Sequence, residues 1–344
     1  MRDKDETFMR AALVQAAKAA GKTSPNPAVG AVFVADGKIV ARGHHRAAGA
    51  AHAEIECLSK LGRRVASDGT LYVTLEPCST HGRTPPCTDA LISAGVRNVV
   101  IGTVDPNHGH SGRAIEILKR AGIDVRSGVL AHECAVLNRP FNKWIRTGRP
   151  YVIAKCGMSL DGHLTKPKTD SRWITSSASR RHANTKRGMV DAILVGAETV
   201  RIDNPRLTVR ETKHARQPWR VVLSRSGTLP RTAHLLTDKH ADRTLIFRED
   251  SFDSVLVQLG QREITSVLIE GGGEILAQAL DQRLIDRIEL YLGAMLTGGP
   301  VLAFGGEGAA STADAIKLHE VRYEQIGDDV FVSGEVAHQV AETG

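Results

Sequence analysis

The sequence predicts an α/β protein of two domains, each a sheet flanked by helices. Three observations carry that expectation. The chain has 344 residues, more than one hydrophobic core usually organises. Short apolar, strand-like runs alternate with helix-like segments along its length, the order that builds α/β layers. A polar stretch, Arg146-Thr147-Gly148-Arg149-Pro150, interrupts this order, and a new strand follows it. The expected domains are residues 1–147 and 148–344.

In the first domain the apolar spacing predicts a helix from about Glu6 to Ala20. A hairpin follows, Val29–Val34 and Lys38–Arg42, turned by Asp36-Gly37. His52 opens a short helix in which Ile55, Leu58 and Leu61 repeat at helical spacing up to Gly62. Thr70–Leu75 reads as a buried strand, and Cys87–Ala94 as a helix begun by Pro85-Pro86 and closed by Gly95. A strand at Asn98–Gly102, a helix at Ala114–Arg120 and one or two strands before Leu130 complete the domain. In the second domain strands are expected at Tyr151–Lys155, Ala192–Val195, Arg220–Ser224, Thr244–Phe247, Val267–Ile269 and Arg287–Tyr291, with helices between several of them.

The chemistry concentrates in His52-Ala53-Glu54, Pro77-Cys78 and Cys87. One imidazole and two thiolates give three protein ligands, which suits a catalytic zinc with an open fourth position. Glu54, two residues past the histidine, serves as proton shuttle without being a ligand. Zinc deaminases of nucleobases carry such an H-x-E and P-C…C arrangement, although here the second cysteine lies further off than in C-x-x-C. His52 and Cys87 fall at helix N-termini, where the dipole favours thiolate. Cys57 and His81 are the candidates for a fourth, structural ligand. Cys57 is rejected because it sits on the same helix as Glu54 with no cysteine pair around it.

Composition narrows the partners. The net charge is +7 with aromatics at 4%, and the pI is about 9.3. The basic residues are scattered, and stacking platforms for single strands require aromatics, so a phosphorylated small molecule is expected rather than nucleic acid. No apolar run approaches the roughly 20 residues of a membrane span, and nothing reads as a signal peptide. Five cysteines, an odd number with two assigned to metal, suit a reducing, cytoplasmic setting; Cys134 and Cys156 read as free thiols. In the second domain, Ser266–Glu270 followed by Gly271-Gly272-Gly273 and a helix from about Glu274 forms a strand–turn–helix able to cradle phosphate, or a plain tight turn. Leu276 occupies the last position of G-x-G-x-x-G, so no Rossmann fingerprint is present.

Beyond these motifs, Ser24-Pro25-Asn26-Pro27, Gly43-His44-His45, the whole stretch Leu75–Cys87 and Asp105-Pro106-Asn107 resemble one family, and the likeness continues into the second half. There it takes in Lys155–Gly162, Ser171–Thr175, Asp191–Arg210 and Ile269–Gly272. The family is the bifunctional pyrimidine deaminase and 5-amino-6-(5-phosphoribosylamino)uracil reductase of riboflavin biosynthesis. The resemblance implies a cytidine-deaminase-like three-layer α/β/α domain followed by a dihydrofolate-reductase-like α/β domain. It implies zinc and NADPH as cofactors, phosphoribosylated pyrimidines as substrates and a homo-oligomer.

Position by position, the resemblance makes Asn26 and His45 contacts of the first substrate. It makes Lys155, Ser171, Arg187, Leu207, Arg210 and Glu270 contacts of the second. Gly157, Trp173, Thr199, Asp203, Ser224, Gly272 and Gly273 match cofactor positions. Arg187 and Arg210 make physical sense as forks for a substrate phosphate. Three positions depart from the family: Gly157 replaces a common alanine, Thr169-Asp170 a usual Gly-Glu, and His44 an aromatic or apolar residue, which leaves His45 as the active-site member. Two rival functions make demands that the sequence does not meet. An RNA-editing deaminase would need a C-x-x-C second half and an aromatic or arginine-rich C-terminus. A zinc protein without catalysis would not need Glu54.

Overall fold

The computed structural model describes residues 2–62, 68–80, 85–164, 173–210 and 216–337, and the chain divides into two compact units, Met1–Arg149 and Pro150–Gly344. The first unit contains α1 (Arg2–Ala17), β1 (Gly30–Ala35), β2 (Lys38–His44), α2 (Ala53–Ser59), β3 (Thr70–Leu75), α3 (Cys87–Ser93), β4 (Asn98–Thr103), α4 (Arg113–Arg120), β5 (Asp124–Ser127), α5 (Ala131–Leu137) and α6 (Arg139–Thr147). Its five strands lie in the order β2-β1-β3-β4-β5. β1 is antiparallel to β2 and β3, and β3, β4 and β5 run parallel.

The strands β1, β3 and β4 are apolar over most of their length because both faces are covered. Phe33, Leu71, Val73, Val99 and Ile101 pack with Ala53, Cys57, Leu91 and Leu118 from α2, α3 and α4. Val32, Val34, Tyr72 and Val100 point the other way, toward Met9 and Ala12 of α1 and Cys134 of α5. This is the expected three-layer arrangement. The helices α5 and α6 were not anticipated. Pro140 near the start of α6 fits a helix N-terminus, and Gly148, at φ 68°, closes it. The helix therefore occupies the first part of the stretch expected to be linker.

The second unit runs β6 (Tyr151–Ser159), α7 (Ser177–Arg187), β7 (Ala192–Gly196), α8 (Ala197–Asp203), β8 (Trp219–Leu223), α9 (His234–Thr237), β9 (Thr244–Phe247), α10 (Phe252–Gln261), β10 (Ser266–Ile269), α11 (Gly273–Asp281), β11 (Arg287–Gly293), β12 (Leu318–Ile326) and β13 (Asp329–Val336). The eight strands lie in the order β12-β13-β11-β6-β10-β7-β8-β9. From β11 to β9 all neighbours are parallel, and β13 and β12 add an antiparallel edge. One face packs on α10 and α11 through Val152, Ala154, Leu194, Val267 and Leu276. The other packs Ile193, Val195 and Val222 on Val200, Leu207 and Leu235. The β12–β13 hairpin is a further element that sequence reasoning did not find: β12 is largely exposed, so it lacks the apolar alternation that marks a half-buried strand. Among the described residues no helix is long and apolar enough to cross a membrane.

Candidate active sites

The three metal-ligand candidates of the first unit converge. His52 caps the N-terminus of α2 with extended backbone, Cys87 is the first residue of α3, and Cys78 follows the end of β3. His52 Nδ1 lies 3.3 Å from Cys87 Sγ and 3.4 Å from Cys78 Sγ. The Cys87 N–H donates to Cys78 Sγ at 3.2 Å. All three ligand atoms fall within 4.8 Å of one another. A nitrogen and two sulfurs at this spacing fit zinc. Cys57 is in the apolar core, and burial pushes its thiol up to about 12, so it offers no fourth ligand. His81 lies outside the described residues.

The electrostatics suit a cation. The Cys87 thiol, donating to Cys78, holds the Cys78 sulfur down at about 4, with His52 assisting. Cys87 in turn is pushed up, by Cys78 and then by burial. The Cys78 thiolate raises His52. A divalent ion among them reverses the pressure on Cys87, since a coordinating thiol is deprotonated. Glu54 is 3% exposed, and burial pushes its carboxyl up while it faces Cys87 and His52. A carboxyl poised this way can take up and return a proton.

Asn26 and His45 adjoin this centre. His45 Nδ1 is 3.1 Å from the Ala51 carbonyl and Nε2 is 3.1 Å from Asn26 Nδ2. A carbonyl can only accept, so the ring proton belongs on Nδ1 and Nε2 accepts from Asn26. The His45 ring stands edge-on to His52 with centroids 5.2 Å apart, and burial lowers its pKa. His44 turns instead to Glu56, 3.7 Å away. Gly43 is required by packing: a Cβ there would lie 2.2 Å from the Ala53 carbonyl oxygen.

Two supporting residues escaped sequence reasoning. The Glu76 carboxylate accepts from the N–H groups of Asp105 (3.0 Å), Gly112 (2.9 Å) and Ala114 (2.9 Å), tying the loop of Cys78 to the start of α4. Asn138 clamps both backbone groups of Ala28, two residues from Asn26. The signal for Glu76 was its place beside Pro77-Cys78. Asn138, between two unanticipated helices, gave none.

In the second unit a cleft of about 990 Å³ opens at the C-terminal ends of β10 and β7, where parallel sheets bind ligands. Lys155, Gly157, Trp173, Arg187, Thr199, Asp203, Leu207, Arg210, Glu270, Gly272 and Gly273 all line it. Ser224 does not; its hydroxyl is buried with no partner among the described residues. Ser171 lies outside the described residues. Trp173 is half exposed, with the Arg180 guanidinium 4.6 Å over its ring.

The two arginines expected as phosphate forks differ. Arg187 already engages its fork on Glu270, with Nε–Oε1 and Nη2–Oε2 both 2.7 Å. It is thus a part-buried, bidentate ion pair rather than a free anion site, because two donors in one plane match a carboxylate as well as a phosphate. Burial alone would push Glu270 up, yet Arg187, with Lys155 and Arg210 nearby, holds it down at about 2. The Arg210 guanidinium lines the cleft and has no partner among the described residues.

The segment 204–210 has no regular structure and is fixed by side chains. Asn204 accepts from the His234 N–H, and Arg220 Nη1 reaches the Arg206 carbonyl. Arg187 Nη1 reaches the Thr208 carbonyl, Gln217 pairs with both backbone groups of Val209, and Asn184 does the same for Arg210. These ties hold Leu207 buried at φ 49°, a conformation that costs a non-glycine residue about 1–3 kcal/mol. Arg220 is itself 1% exposed and paired with Asp238 at 2.8 Å.

The glycine turn separates into unlike positions. A Cβ on Gly273 would lie 2.1 Å from the Leu302 carbonyl oxygen, and one on Gly271 3.0 Å from Ile275 Cβ. At Gly272 the nearest atom would be Thr199 Oγ1, at 3.7 Å, which also accepts from the Gly272 N–H at 3.3 Å. Packing explains the outer two glycines, whereas Gly272 opens its backbone to the cleft at the N-terminus of α11, a cradle suited to a phosphate.

Comparison with known proteins covers both units. The cytidine and deoxycytidylate deaminase zinc-binding region matches residues 2–103, and the RibD C-terminal domain matches residues 150–332, where an RNA-editing reading would need a nucleic-acid domain. Among curated proteins, riboflavin biosynthesis protein RibD of Aquifex aeolicus is 37% identical over 352 residues, covering 96% of this chain and 98% of its own. That of Escherichia coli K12 is 37% identical over 363 residues, covering 95% and 98%. Among solved structures, Acinetobacter baumannii RibD matches with a TM-score of 0.91 at 33% identity, over 98% of this chain and 100% of its own. A diaminohydroxyphosphoribosylaminopyrimidine deaminase/5-amino-6-(5-phosphoribosylamino)uracil reductase from Thermotoga maritima matches at 0.88 and 34%, over 98% and 99%.

Proposed function

The chain belongs to the riboflavin-biosynthesis deaminase/reductase family, and from that premise we propose which residues carry each half of the chemistry. The first activity hydrolytically removes the 2-amino group of 2,5-diamino-6-(5-phosphoribosylamino)pyrimidin-4-one as ammonia. The second reduces the ribosyl group of the resulting uracil to ribityl.

In the deaminase half, His52 through Nδ1 and Cys78 and Cys87 through sulfur hold zinc. Bound there, the ion supplies Lewis acidity that brings the pKa of water to about 7. Glu54 takes the proton of the attacking water on a carboxylate oxygen and returns it to the leaving amine. Asn26 and His45, fixed in one tautomer, contact the pyrimidine. Glu76 keeps Cys78 in place, as groups behind metal ligands do. The observation that carries this half is the convergence of three ligand atoms within 4.8 Å beside a buried carboxyl.

In the reductase half, NADPH supplies the hydride when bound. The N-terminus of α11 at Gly272 and Gly273 would receive its phosphates, with Thr199, Asp203, Trp173 and the Gly157 backbone as further contacts; Ser224, buried away from the cleft, would not touch it. Arg210 takes the substrate phosphate. Ser171, Leu207, Lys155 and the Arg187–Glu270 pair complete the substrate site. The partners are phosphorylated small molecules, with no part for nucleic acid or membrane; the protein works in the cytoplasm and self-associates.

The test is a coupled assay on the zinc-loaded chain, following ammonia release and NADPH oxidation from the phosphoribosyl diaminopyrimidinone. Equal amounts of both are expected, with NADPH preferred to NADH. Ammonia release that survives complete removal of zinc, or equal use of NADH, contradicts the corresponding half.

A further inference from the structure

Lys155 does not stand alone on its sheet face. Strand pairing sets Tyr291 opposite both Gly157 and Phe331, and Glu289 opposite Lys155, so these side chains share one face. Tyr291 lines the cleft, although only 1% of it is exposed. Lys155 Nζ lies 5.8 Å from its ring centroid. Its hydroxyl is 3.0 Å from Nδ1 of His182 on α7, a helix whose one buried residue is Ser179. Around His182 stand Lys186 on its own helix, Tyr291 and Glu289 on β11, Glu324 on β12 and the Phe331 ring on β13, 5.1 Å away. His182 remains half-buried, within reach of solvent.

Converting ribosyl to ribityl breaks the C1′–O4′ bond, adds hydride at C1′ and leaves a proton on O4′. Each turnover therefore takes up one proton from the protein as well as one hydride. Arg187 and Arg210 stay charged, and the Arg187 pair keeps Glu270 a carboxylate. Among the described groups that line the cleft, the Lys155 ammonium, His234 and the Tyr291 hydroxyl can give a proton, and the Tyr291 hydroxyl has a second titratable group, His182, bonded directly to it.

We propose that Tyr291 delivers this proton to O4′ and takes its replacement from His182. The inference rests on the reductase reading above. As the C1′–O4′ electron pair passes to the oxygen, the Tyr291 O–H proton moves to O4′. The Nδ1 proton of a His182 imidazolium moves to the tyrosine oxygen, leaving a neutral imidazole that regains a proton from solvent between turnovers. Burial pushes the phenol pKa up, so the phenolate left after donation is a strong base and draws the His182 proton.

The test uses the full zinc-loaded chain, NADPH and 5-amino-6-(5-phosphoribosylamino)uracil. Tyr291→Phe keeps the ring packing and removes only the hydroxyl. Its kcat for reduction should fall about 100-fold, with KM, the NADPH Kd from fluorescence titration and ammonia release unchanged. In the wild type, kcat should decline as rising pH discharges His182, and His182→Gln should flatten that limb. Wild-type kcat in Tyr291→Phe, an unaltered pH profile in His182→Gln, or a kcat loss matched by weaker NADPH binding overturns the relay. Failure of the wild type to bind NADPH or reduce the uracil would instead count against the reductase reading itself.

Discussion

The zinc pocket and the reductase cleft solve the problem of holding reactive groups in different ways. The pocket takes all its ligands and its acid–base group from the ends of three adjacent elements, α2, β3 and α3, with Glu54 buried beside them. The cleft gathers its lining from β6 through β11, and its central segment, 204–210, is shaped by hydrogen bonds from Arg220, Arg187, Gln217 and Asn184. A single side chain can therefore abolish the chemistry of the pocket. In the cleft, a change to one of the residues that shape its lining shifts a position or an affinity, and its effect is graded.

The sharpest way to break this contrast is Cys87→Ala. Zinc content should drop from about one ion per chain to near none, and ammonia release should vanish. Reduction of the uracil should continue at its wild-type rate. Metal analysis and the two separate assays read the outcome, and loss of both activities would mean that the sites are not independent. Glu54→Gln is the next largest effect. The amide keeps size and hydrogen bonding but carries no proton, so deamination should fall by about 10²–10⁴ while zinc content stays constant. Loss of zinc in this variant would make Glu54 a ligand and not a shuttle.

Glu270→Gln probes the cleft. The native carboxyl sits at about 2, below its unfolded value of about 4.3. A depressed pKa contributes stability that is present above the unfolded value and is lost as pH falls from about 4.3 toward 2. Removing the charge leaves the part-buried Arg187 without its counterion, bonded to the Thr208 carbonyl and the new amide oxygen, which costs about 1–3 kcal/mol. Denaturant titration at neutral pH should register that loss, and the variant should show less further destabilisation across the acid window. Deamination should be unaffected.

The two regions also differed in how legible they were. His52, Glu54, Cys78 and Cys87 could be read from residue type and spacing alone, because zinc chemistry permits few donor sets and these lie on neighbouring elements. The cleft residues became visible only through family resemblance, since ordinary residues such as Leu207 and Thr199 derive their meaning from tertiary placement. Arg187 shows the limit: its type suggested a phosphate fork, but its partner Glu270 is 83 positions away in the chain. Thr70–Leu75, central in its sheet, and Thr244–Phe247, at the edge of the other, were both found with their full bounds, as largely apolar runs. The edge strand β12 and its neighbour β13 were missed, β12 because exposure removes the pattern. The helices α5 and α6 were missed as well, and α6 buries no residue fully.

The smallest expected effect tests whether the cleft is as tolerant as the contrast implies. Gly272 and Gly273 are neighbours at the same helix N-terminus, and the contacts a Cβ would make differ by 2.1 Å against a backbone oxygen at Gly273 and 3.7 Å against Thr199 Oγ1 at Gly272. Gly273→Ala should therefore destabilise the fold, because the Leu302 backbone cannot give way as a side chain would. Gly272→Ala should leave the melting temperature within about a degree, since ordinary van der Waals contact carries no strain and φ at this position is −66°. If a cofactor phosphate approaches that backbone, the added methyl group stands in its path, and KM for NADPH should rise a few-fold with kcat little changed. Gly272→Ala with wild-type KM would move the phosphate away from the α11 N-terminus. Equal loss of stability in both variants would instead make the turn a packing feature alone, because only a ligand distinguishes the two positions once the protein's own contacts are accounted for.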